Sequence, residues 1–115
     1  MWHILWNQPW KLHTMNPTED LSLVLAIVAR ATGIPEPLIF TQRRGQEYYD
    51  ARWIAVELLH ELGYYPAQIA DITGVTHRNV NKILTAIADR TGCTWRIFGA
   101  KLERCRNAMG TQGKT

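Results

Sequence analysis

Four consecutive residues, Thr76, His77, Arg78 and Asn79, open the stretch GVTHRNVNKIL (Gly74–Leu84), and each carries a hydrogen-bonding side chain. The apolar residues after them, Val80, Ile83, Leu84 and Ile87, recur at helical spacing and cluster within about 100° on a wheel. Arg78, Asn81, Lys82 and Thr85 fall on the opposite side. His77 and Asn79 flank the apolar stripe and, in a first turn, can still splay outward. These are chemistries that suit base edges: an arginine fork matches guanine O6 and N7, asparagine pairs with the adenine edge, and threonine can meet a thymine methyl. His77 adds a donor, and a helix N-terminus favours a nearby phosphate. A threonine cap followed by solvated polar residues is the plainer reading of the same four residues. Taken alone, they do not choose.

The elements that would position them are helices. NPTEDLSLVLAIVARATG has Asn16 as N-cap, Pro17 at the first position, Glu19 three residues after the cap, and Gly33 as a stop. IPEPLIF is too proline-rich for more than one turn around Pro37 to Ile39. TQRRGQ, residues 41–46, reads as a polar loop hinged on Gly45. Ala51, Ile54, Ala55, Leu58, Leu59 and Leu62 then mark a long helix with Gly63 beyond it. Pro66 starts a short helix, PAQIADIT, ended by Gly74. Thr76 caps the next helix, which runs to about Arg90 with Gly92 beyond. A last amphipathic stretch from about Thr94 to Asn107 puts Trp95, Phe98, Leu102 and Cys105 on one side. Residues 1–16, with Trp2, Trp6 and Trp10, show no clear pattern. The expected fold is all-α, about five helices in one compact domain.

A short helix, a three-residue turn and a longer helix is the spacing of a helix-turn-helix, whose second helix lies in the DNA major groove. Here VARATGIPEPLIFTQRRGQ, DARWIAVELLHELG and PAQIADITGVTHRNVNKIL follow one another in order. In that order and spacing, residues 17–91 resemble the C-terminal DNA-binding domain of DnaA, the bacterial chromosomal replication initiator. The resemblance implies that Arg43 and Arg44 match the paired arginines of a basic loop, with Arg44 reaching into the minor groove. It implies that Arg52 binds phosphate, that Pro66 to Gln68 lie along the backbone, and that His77 sits in the recognition helix. The family typically has Asp-His-Thr-Thr-Val where this chain has Thr76-His77-Arg78-Asn79-Val80, after a turn one residue longer. Several basic positions of the family are Gln46, Glu47 and Asp50 here. Groove docking is therefore implied more firmly than the family's own DNA box.

Composition agrees with a small folded protein: 115 residues, 46% hydrophobic and 20% charged. No run approaches the length of a membrane span, and no secretory signal is evident, so a cytoplasmic, nucleoid-associated protein is expected. Net charge is +3, but from Thr76 onward eight basic residues face two acidic ones, a net +6, against −3 before it. Such asymmetry suits a polyanionic partner. Cys93 and Cys105 make neither a disulfide framework nor a zinc quartet, and reduced thiols are expected.

Other chemistry is thinner. HELGY, His60 to Tyr64, lacks the second histidine of a zinc-binding HExxH. AMGTQGKT, Ala108 to Thr115, loosely fits a phosphate loop but has no following helix. Glu57 and Glu61 read as a solvated i,i+4 pair, and no nucleophile stands beside a base. Tyr48, Tyr49, Trp53, Tyr64 and Tyr65 could stack on nucleic acid, but read as core or core edge. The chain is expected to be no enzyme, to use no cofactor, nucleotide or metal, and to bind double-stranded DNA through Arg43, Arg44, Arg52, Gln68, Thr76, His77, Arg78, Asn79 and Lys82. Residues 1–16 form an extension and 92–115 an added helix and tail, each a candidate homodimer interface. The rival reading is a helical protein–protein adaptor working through those same two segments.

Overall fold

The structure, a computed structural model, describes residues 16–89 and 95–113, with side chains from Arg96 to Gly110 in the last segment. Trp2, Trp6, Trp10, Arg90, Cys93 and the Trp95 side chain lie outside that description. Five α-helices follow in order: α1 Pro17–Thr32, α2 Gln46–Glu61, α3 Pro66–Thr73, α4 His77–Asp89 and α5 Trp95–Gly113. One 3-10 turn, Glu36–Leu38, interrupts the connection from α1 to α2, and no strand occurs among the described residues. The fold is all-α.

Local chemistry sets the ends. Asn16 Oδ1 accepts the Thr18 and Glu19 N–H groups at 3.0 and 3.2 Å, satisfying two donors that α1 leaves open. α1 and α3 stop in the same way. Thr32 and Thr73 each donate a hydroxyl to the carbonyl four residues back at 2.7 Å, then accept the N–H two residues on. Gly33 and Gly74 between those partners take left-handed φ values of 79° and 81°, which a Cβ would strain. The sequence signature is the shared Thr-Gly-Ile and Thr-Gly-Val, and Ile34 folds back into the core.

The core lies where α1, α2 and α5 meet, extended by α3 and α4. Val24, Ile27 and Val28 enter it from α1, Ile54, Ala55, Leu58 and Leu59 from α2, and Phe98, Leu102 and Cys105 from α5. Full burial of an Ile or Leu contributes about 1.5–3 kcal/mol. Phe98, Leu102 and Cys105 of the stripe expected on the last helix are thus covered within the chain. Tyr64 is buried and donates its hydroxyl to Asp20, tying the α2–α3 turn to the first turn of α1. Burial, and then that carboxylate, push the Tyr64 phenol upward.

Two boundaries and one side-chain pair differ from expectation. α2 begins at Gln46, five residues before its first periodic apolar residue, because Asp50 is buried and held from outside the helix. Asp50 accepts from Gln46 Nε2 at 2.8 Å and from Lys101 Nζ of α5 at 3.2 Å. α5 continues past Asn107 to Gly113, so residues 108–113 are helix where a phosphate loop would need an open turn. Glu57 and Glu61 are not a solvated pair. Arg106 of α5 meets Glu61 at 2.7 Å and Glu57 at 3.4 Å, pinning α5 along α2.

Candidate nucleic-acid interface

α3, the turn Gly74–Thr76 and α4 form the helix-turn-helix. Thr76 caps α4: its Oγ1 accepts the Asn79 N–H at 3.2 Å and its carbonyl accepts the Val80 N–H at 2.9 Å. Val80 is fully buried and Ile83 nearly so, which fixes the rotation of α4 about its axis. That rotation exposes Thr76, His77, Arg78 and Asn79 together, with Asn81, Lys82 and Thr85 beyond them. None of the four opening residues is tucked beneath another helix.

A cleft of about 810 Å³ lies beside this surface. Thr76 lines it from the turn, Asn79, Lys82 and Ile83 from α4, and Thr41, Gln42 and Gln46 from the arginine-bearing loop and its exit. Arg43 and Arg44 are exposed and stand between Gln42 and Gln46 in the chain, so the basic loop flanks the cleft that α4 borders. The structure therefore brings Arg52, Thr76, Asn79 and Lys82 around one opening, while Arg43 and Arg44 are exposed in the adjoining loop without lining it. His77 and Arg78 project from the same first turn without lining the cleft.

Two expected contacts already have structural work. Arg52 donates from Nη2 to the Arg43 carbonyl and lies over the Tyr49 ring, 4.9 Å from its centroid. Its Nε is the one buried side-chain nitrogen or oxygen without a hydrogen-bond partner among the described residues. In this arrangement Arg52 braces the basic loop, and a two-pronged grip on phosphate would require it to release Arg43. Gln68 is exposed, but its Oε1 accepts the Tyr65 N–H at 2.8 Å and so caps α3, leaving the amide NH₂ as the group it can offer outward.

Aromatic placement divides the expected core set. Tyr64 is buried, Tyr48 and Trp53 are half-buried, and Trp53 meets Phe98 of α5 edge-on with centroids 6.3 Å apart. Tyr49 and Tyr65 are instead 41% and 73% exposed, correcting their assignment to the core. Tyr49, Glu47, Gln42 and Ile97 all line the cleft; Tyr49 reads from sequence as core or core edge, and the other three were missed from sequence. Only Tyr49 left a signal there, its i,i+3 spacing to Arg52.

Away from the cleft, burial drives the Glu57 carboxyl up to about 7, helped by the hydrogen bond and charge of Glu61 and opposed by Arg106. For Glu61 burial acts upward too, but the Arg106 hydrogen bond and the proton shared with Glu57 outweigh it and hold it below its ordinary value. Burial raises the Cys105 thiol, an inert small apolar group in this setting. The described residues hold no cluster of three or more metal-ligating side chains, and none of their helices is long and apolar enough to cross a membrane. No known family, curated protein or solved structure matches the chain.

Proposed function

We propose that this chain binds double-stranded DNA, with the first turn of α4 in the major groove and the Arg43–Arg44 loop at the backbone and minor groove. One observation carries the reading: Val80 and Ile83 lock α4 so that Thr76, His77, Arg78 and Asn79 all face solvent, beside a cleft that the basic loop flanks. Helices that merely cap with threonine have no reason to place base-reading chemistry and a braced arginine loop around one opening. Arg78 and Asn79 are the base readers in this reading, and Arg43, Arg44 and Lys82 meet phosphates. The order of helix, arginine loop, long helix and helix-turn-helix supports a likeness to the DnaA DNA-binding domain. Arg78 and Asn79 in place of two threonines favour a different target sequence. A regulator of transcription or an accessory of replication would both use such a surface.

The test is an anisotropy titration with random-sequence duplex, followed by selection of preferred duplexes from a random pool. Micromolar, salt-sensitive binding to random duplex and a recoverable consensus are expected. A chain that binds no duplex at low salt, yet loses a protein partner when residues 1–16 or 94–109 are removed, is an adaptor instead.

A further inference from the structure

Wherever the two grooves of a duplex meet, one sugar–phosphate strand separates them. With α4 in the major groove and the 41–45 loop at the minor groove, that strand has to pass between the two. What lies between them is the cleft, and its third wall belongs to neither element. Ile97 and Phe98 of α5 build that wall, with Lys101 one turn further on. Phe98 is buried against Trp53, but Ile97 is 68% exposed, an open aliphatic side chain in the lining of the cleft. Arg96, its neighbour, is exposed as well.

Resting on the DNA-binding reading, we infer that α5 is a third DNA-contacting element. The deoxyribose–phosphate strand that divides the grooves lies in this cleft, its sugars against Ile97 and its phosphates toward Lys82. The occupant follows from the lining. An apolar wall with Lys82 in the same lining and the exposed arginine loop alongside matches a strand whose deoxyribose edge is carbon-rich and whose phosphates point outward. The charge balance points the same way. Lys101 and Asp50, both in the cleft lining, neutralise each other at 3.2 Å, so Asp50 does not repel the strand. Glu47 is different. It is exposed, lines the cleft, and has no ion-pair partner among the described residues. It therefore opposes the strand and holds affinity below what Arg43, Arg44 and Lys82 would otherwise reach.

The experiment compares the full-length wild type with Glu47→Gln, Ile97→Glu and Ser22→Glu by anisotropy on random duplex, between about 50 and 200 mM salt. Glu47 and Ile97 are exposed, so both variants are expected to melt with the wild type. Ser22→Glu places the same charge on the exposed face of α1 and controls for net charge. Glu47→Gln is expected to tighten binding about fivefold at low salt, the effect of one unit charge a few ångströms from a phosphate in water. Ile97→Glu is expected to weaken it by at least that factor, and Ser22→Glu to change it by less than about twofold. If the wild type binds duplex but neither Glu47→Gln nor Ile97→Glu departs from the Ser22→Glu control, the strand runs elsewhere and the inference is overturned with the DNA reading intact. Absence of salt-sensitive binding by the wild type overturns both.

Discussion

Arg78 and Lys82 are exposed cations one turn apart on α4, yet the two should fail differently. Arg78 can fork onto a guanine edge, so Arg78→Ala should cost about 1–3 kcal/mol on a preferred site and relax one base position. An equal loss on every sequence would reassign it to a phosphate. Lys82, at the cleft, should weaken all sequences alike. Glu57 supplies a prediction of another kind, because its carboxyl titrates near 7 in the fold against 4.5 unfolded. Between those values the folded chain holds more protons, so stability must fall as pH rises. The full effect is on the order of 3 kcal/mol. Glu61, held low, works in the opposite sense: its contribution is present above its unfolded value and lost as pH falls through its folded value. Urea melts of the wild type from pH 5 to 7.5 should therefore lose stability with rising pH, and Glu57→Gln should flatten that limb. Parallel slopes in the two proteins would show that Glu57 ionises freely.

At the scale of elements, the turn of the helix-turn-helix rests on Gly74, at φ 81° with open space where a Cβ would project. Any cost of substitution is then backbone alone. Gly74→Ala should destabilise by about 1–2 kcal/mol, and Gly74→Asn by distinctly less because asparagine tolerates the left-handed region. Equal melting temperatures for the two variants would mean that the turn has relaxed into another geometry. This turn, like the caps at Asn16 and Thr76 and the stops at Gly33 and Gly74, was legible in the sequence because its cause is local. So was the apolar stripe of α4, from which the exposure of residues 76–79 follows. The start of α2 was not legible. Its first turn is QEYYD, with no apolar period, and it is anchored by Lys101 meeting Asp50 from 51 residues away. The Arg106 clasp on Glu57 and Glu61 escaped for the same reason: spacing along one helix cannot reveal a cation supplied by another. The cleft escaped too, since it exists only once α5 is packed against α2.

For the molecule as a whole, some cations are already committed to the fold and others are left for a partner. Lys101 is held by buried Asp50, and Arg106 by Glu57, Glu61 and Glu103. Arg52 braces the loop. Arg43, Arg44, Arg78, Lys82 and Arg96 are exposed and carry none of these ion pairs. If four to six phosphates are neutralised by this set, log affinity should fall with log salt at a slope of about −4 to −5. Lys82→Gln should reduce that slope by about 1. Lys101→Gln should leave the slope alone and lower the melting temperature instead, because it strips the charge that balances a buried carboxylate. The two lysines carry the same formal charge, so a net-charge account expects equal slopes from both variants. Measuring both slopes and both melting curves on one duplex separates the accounts: a slope change from Lys101→Gln equal to that from Lys82→Gln would mean that Asp50 releases its lysine to the DNA.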